Sequence, residues 1–172
     1  MSTTAKYPKF FRFIHWITFI LIVLLFISGL GMEDYPFNEE NFFRYKRHAL
    51  MGVSVLFLTL IRIAYKYKNK DHFPPDIKYY SPLHEKLVKG IHSLMYILMI
   101  LAPMVGFYAI YQTGALAYDF GGPFPTGAEL NHDLLEIHEF LVFTLGALIL
   151  MHIAGVIMYK IKNGENLIQR MI

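Results

Sequence analysis

The sequence predicts an all-α membrane protein, a four-transmembrane-helix bundle with both termini cytoplasmic, and three observations carry that reading. The 172 residues are 55% hydrophobic and only 17% charged, where a soluble domain usually has about a quarter charged. Four apolar stretches are long enough to cross roughly 30 Å of hydrocarbon. The sixteen lysines and arginines are also unevenly placed: three precede the first stretch, seven lie from Arg62 to Lys89, three follow the fourth, and only Arg44, Lys46 and Arg47 fall on the other side. The positive-inside rule makes the richer side cytoplasmic.

The first helix is expected over about 11–32. Its apolar core, FIHWITFILIVLLFISGLGM, carries no formal charge and follows Lys6, Lys9 and Arg12. The run is too long for a signal-peptide core and no A-x-A site follows, so it reads as an uncleaved helix. The second, about 48–66, is interrupted only near its end by Arg62. The third, about 88–112, contains Pro103, which should kink it, with Gly106 just beyond. The fourth, about 136–160, is uncharged from Phe140 to Tyr159. An acidic turn (EDYPFNEEN), a basic loop (KYKNKDHFPPDIKYYSP) and a Gly/Pro-rich loop (GGPFPTGAELNHD) connect them. Residues 1–172 read as one domain, with no room for a second. Trp16 and the tyrosines near segment ends read as interfacial anchors.

The chain has no cysteine. That excludes disulfides, thiolate metal sites, iron–sulfur clusters and covalent c-type haem. Any metal or haem must be held by histidine, carboxylate or methionine. The net charge of +3 is modest and its lysines flank apolar segments, so no nucleic-acid footprint is present.

Ionisable side chains inside a membrane are costly and point to function. His138 and His152 lie fourteen residues apart in one apolar segment. At 100° and 1.5 Å per residue they share a face to within about 40° and stand roughly 21 Å apart. With alternating crossings the histidines sort into two levels, His48 with His138 outside and His15 with His152 inside. A six-coordinate b haem needs two imidazoles across its plane, so two bis-histidine haems are the direct reading, and such haems favour electron transfer over oxygen binding. The alternatives are interhelical hydrogen bonding, a proton relay and a zinc site. A relay generally needs carboxylates at depth, and the H-E-x-x-H pattern of one zinc class is absent.

Gly29, Gly52, Gly146 and Gly155 are placed either to let a flat ring approach or for ordinary small-residue packing. Arg62 lies fourteen residues after His48, roughly 21 Å deeper. It is either a partner for an inner haem propionate or a side chain snorkelling to the interface. Arg44, Lys46 and Arg47 either neutralise outer propionates, focus positive potential on a small anion, or merely offset Glu39 and Glu40. His92 could replace His15 or His152 as a ligand, could exchange a proton with a quinone headgroup, or could be wetted at the interface. Tyr65, Lys89 and Tyr159 are its candidate neighbours. His72, His84 and His132 lie in polar connections and read as solvated.

The chain resembles the bacterial di-haem cytochrome b561 family. FRFIHW, KRHALMGVSVLFLTLIRIAY, IHSLMYILMILAPMVGFYAIY and LLEIHEFLVFTLGALILMHIAG match in order and cover nearly the whole length. The resemblance implies an inner-membrane protein with two b haems, ligated by His15 with His152 and His48 with His138, exchanging electrons with the quinone pool. The family includes a superoxide oxidase that takes electrons from periplasmic superoxide and reduces ubiquinone. Here Arg44, Lys46 and Arg47 would guide the anion. Lys89 and Tyr159-Lys160 stand where members often carry histidines. Two further readings remain open: a membrane-anchor cytochrome b serving a larger dehydrogenase or a periplasmic redox protein, with 118–133 as its docking surface, and a histidine-based metal transporter or sensor.

Overall fold

The computed structural model describes residues 5–32 and 34–172; Glu33 of the acidic turn lies outside them. Among the described residues four α-helices follow one another: α1 Lys9–Leu30, α2 Phe42–Lys68, α3 Pro82–Gln112 and α4 His132–Asn163. Each is long and apolar enough to cross a membrane. Short 3-10 turns at Lys70–His72, Ala115–Phe120 and Leu167–Arg170 complete the chain.

Two helix starts, those of α3 and α4, are set by polar caps beyond the apolar windows. Ser81 accepts a hydrogen bond from the His84 amide at 3.1 Å, with Pro82 placed where a missing amide proton costs nothing. Asn131 does the same for the Leu134 amide at 3.1 Å. At the other end of α4, Gly164 adopts φ 71° and its amide donates to the Lys160 carbonyl, a left-handed cap that favours glycine. The helix α3 runs on through Pro103, whose ring nitrogen cannot donate to the Met99 carbonyl.

The bundle is built for lipid. Only 6% of the most apolar stretch of α4 is buried within the protein, and Leu30, Phe140 and Leu150 are among its most exposed side chains. Such an exterior would aggregate in water, whereas in hydrocarbon it costs nothing. Inside, Ile22, Val55, Leu98, Met99 and Leu145 bring all four helices together at mid-depth. A second cluster, Phe42, Ile110 and Ala115, joined by Phe37, Tyr45, Tyr118 and Phe124, seals the end that carries the α1–α2 and α3–α4 connections. We call this the far end.

The first described residues and the C-terminal segment lie together at the opposite, near end. The Tyr7 amide donates to the Arg170 carbonyl at 2.9 Å and the Trp16 indole to the Met171 carbonyl at 2.7 Å. Arg170 adds two contacts, one to the Glu165 carboxylate at 2.9 Å and one to the Pro75 carbonyl at 2.8 Å. One side chain thus ties the C-terminal segment to the α2–α3 connection. Trp16, expected as an interfacial anchor, is also part of this closure.

Candidate functional site

Two layers of imidazoles occupy the bundle. At the far end, the ring centroids of His48 on α2 and His138 on α4 are 6.2 Å apart. Each ring is held from behind. His138 Nδ1–H donates to the Ala102 carbonyl of α3 at 2.9 Å. His48 Nδ1 lies 2.8 Å from the Ser28 hydroxyl of α1, which itself reaches the Leu25 carbonyl at 3.0 Å. Both rings are therefore anchored at Nδ1, which leaves Nε2 as the atom that could hold a metal.

Glycines make this seating possible. A β-carbon at Gly106 would stand 3.0 Å from the His138 ring, and one at Gly29 would stand 3.4 Å from that of His48. Gly106→Ala should therefore shift the His138 ring by a few tenths of an ångström and strain its bond to the Ala102 carbonyl, at an overpacking cost of about 1–3 kcal/mol. The expected outcome is reduced haem occupancy at the far site in purified protein, measured by haem content, with helicity retained by circular dichroism. Of the four glycines singled out in the sequence, Gly29 alone faces a histidine. Gly52 meets Pro103, Gly146 meets the Phe26 ring, and Gly155 faces open space.

The near layer contains His15, His92, His152 and Arg62. His92 and His152 are ring neighbours, with centroids 4.9 Å apart and planes crossed at 83°. His92 Nδ1–H donates back to the Val88 carbonyl at 2.7 Å. His15 lies near enough to Arg62, His152 and His92 for their charges to act on it. Its Nδ1 is buried without a partner, and so is the Nε of Arg62. The Arg62 guanidinium stacks over Phe11 at 4.6 Å and Tyr96 at 5.6 Å. A buried cation whose Nε has no partner still calls for an anion.

The outer cations have partners. Lys46 forms an ion pair with Asp119 at 2.8 Å. Arg44 stacks 3.9 Å over Tyr35, and Arg47 lies 4.8 Å over Phe43. Glu39 is engaged by the Tyr118 hydroxyl at 3.0 Å, and that bond raises the Tyr118 pKa. The three proposed neighbours of His92 each engage other partners. Lys89 pairs with Glu85 at 2.5 Å and Asp76 at 3.6 Å, Tyr65 packs among Phe10, Phe11 and Phe73, and Tyr159 is buried 3.5 Å from Glu165. His132, Asp133 and Glu136 sit together, exposed, on the first turn of α4.

These features coincide with a match to the family described as prokaryotic cytochrome b561, over residues 6–172. The chain belongs to the prokaryotic cytochrome b561 family. A Yersinia pestis protein named "Probable superoxide oxidase CybB" is 22% identical over 163 residues, 92% of this chain and 91% of that relative. This b561 chain is therefore a multi-pass membrane electron-transfer protein, and membership implies b-type haem.

The far layer fits such a group. Two imidazole–metal bonds of about 2 Å each, plus the ring radii, set centroids about 6 Å apart, close to the observed 6.2 Å. The near layer fits through its chemistry, with an unpartnered imidazole nitrogen on His15 and an unpartnered Nε on Arg62. Ser28, Ala102 and Gly106 were not singled out as site residues from the sequence. The A-P-M-V-G stretch was the one available signal for the last two.

Proposed function

We propose that this protein is an inner-membrane di-haem cytochrome that passes electrons between a donor at the periplasmic, far end and the quinone pool. His48 and His138 would hold the far haem, and His15 and His152 the near one, with Arg62 facing a propionate. When bound, each haem would supply reversible one-electron chemistry. The observation that carries the reading is the His48/His138 pair, two rings anchored from behind at metal-bridging separation. His92 supports it by exclusion: at 4.9 Å from the His152 ring it stands too close to share a metal across that gap. On this reading His15 would be the opposing ligand, and His92 would stand beside the site, where it could hand a proton to a quinone headgroup.

The most specific form is oxidation of superoxide with reduction of ubiquinone. Two superoxide anions would each give up one electron and leave as dioxygen, and the quinone would take both electrons and two protons. Arg44, Lys46 and Arg47 would draw the anion to the far end; the name of the Yersinia relative supports this chemistry. The lysine- and arginine-rich near end supports cytoplasmic termini.

A reduced-minus-oxidised visible spectrum with haem quantification tests the assignment. Two low-spin b haems per chain are expected, and a spectrum without low-spin b haem would refute it. The anchor-cytochrome alternative would instead show a stoichiometric partner on purification and no reduction by superoxide.

A further inference from the structure

The two layers differ in how their imidazoles are held, and the difference bears on redox potential. The Ser28 hydroxyl has one proton, and the Leu25 carbonyl 3.0 Å away can only accept it. The 2.8 Å contact to His48 must then run the other way, with His48 Nδ1–H donating to the Ser28 oxygen. His138 Nδ1–H likewise donates to the Ala102 carbonyl. A ligating imidazole that donates its second N–H to an acceptor becomes a more basic ligand. A more basic ligand favours the oxidised metal, and so lowers its potential.

The near layer has the opposite character. Neither the His15 nor the His152 ring hydrogen-bonds a neighbour among the described residues, and the His15 Nδ1 is buried and orphaned. Arg62 adds a cation at the same level, stacked on two aromatic rings with its Nε unpaired. In a low-dielectric interior this cation would offset the charge of the propionate it faces, a negative charge that would otherwise favour the oxidised state. The outer cations do not reverse this order. Lys46 is neutralised by Asp119, while Arg44 and Arg47 are exposed, where water and salt screen them.

We propose that Ser28 is a positioning residue for His48 that holds the far haem at a lower reduction potential than the near haem. The resulting gradient points inward, from the far end to the near end. The inference rests on the di-haem reading above.

Spectroelectrochemical titration of the full-length protein in detergent tests it. Two midpoints are expected, and His138→Leu, which removes the far haem, assigns the lower one to the far site. Ser28→Ala should raise the far midpoint and leave the near midpoint in place. Ser28→Thr, which retains a hydroxyl, should restore the wild-type value. A far midpoint unmoved by Ser28→Ala, or both midpoints moving together, overturns the proposal. So does a wild-type far midpoint above the near one, a result that needs no Ser28 variant to fold. Fewer than two haems per wild-type chain sinks the di-haem reading as well; two haems with the wrong order or no shift sink this inference alone.

Discussion

Replacing His138 with leucine is expected to halve the haem content, from two haems per chain to one. The His138 imidazole is held by the Ala102 carbonyl and faces His48 across 6.2 Å. Leucine offers no ligand, and a single remaining imidazole is a weak hold on a haem that is not covalently attached. The helix should tolerate the change, because leucine suits the apolar environment of α4 and removes a buried polar group. The near layer lies fourteen residues further along α4, roughly 21 Å away, so its haem should persist with an unchanged low-spin spectrum. His48→Leu should give the same product. On the proposed pairing both residues serve one site, so the double variant should lose no more haem than either single variant, a non-additivity expected of groups that act as a unit. The measurement is the haem-to-protein ratio by pyridine haemochrome. Retention of two haems would refute the pairing. Loss of both with the bundle intact would show that the two sites are not independent.

How far the sequence reveals this arrangement depends on the range of the interaction involved. Periodicity along a single helix is local, so the shared face of His138 and His152 follows from a spacing alone. The apolar windows likewise mark the four crossings. They stop short of the helix ends, because α2, α3 and α4 begin at Phe42, Pro82 and His132. Backbone hydrogen bonding continues past the hydrocarbon edge until a cap such as Ser81 or Asn131 takes over. Contacts between helices were not legible. Whether Ser28 meets His48, or Gly106 clears space for His138, depends on the rotation of one helix against another. Several sequence patterns on α1 or α3 would serve equally well. The same holds for His92: its position marks its depth, but only packing places it 4.9 Å from His152. The outer cations show the limit most clearly. Lys46 and Asp119 are 73 residues apart in sequence, and nothing in either connection announces their pairing.

That pairing yields the second large prediction, because it allows the far-end field to be changed in both directions. If the far end collects an anion, the reduction rate depends on net charge there, and a focused positive patch raises association rates by about 10–1000-fold. Arg44→Glu with Arg47→Glu changes the local charge by four while leaving the Lys46–Asp119 pair in place. The lost contacts are to the rings of Tyr35 and Phe43, worth about 0.5–1 kcal/mol each at exposed sites, too little to unfold the bundle. The second-order rate of haem reduction by superoxide should fall on the order of 10-fold or more at low ionic strength. Asp119→Asn should act in the opposite sense: it frees the Lys46 charge, adds one net positive charge, and should raise the rate. Both effects should shrink as salt is added and the Debye length contracts to about 10 Å at 0.1 M. Stopped-flow or pulse-radiolysis measurement across a salt series reads all three. A rate indifferent to both substitutions would remove the anion from the mechanism and leave the cytochrome with a protein donor. Opposite shifts that converge at high salt would be the signature of a charged small substrate, since a change in haem packing would survive the added salt.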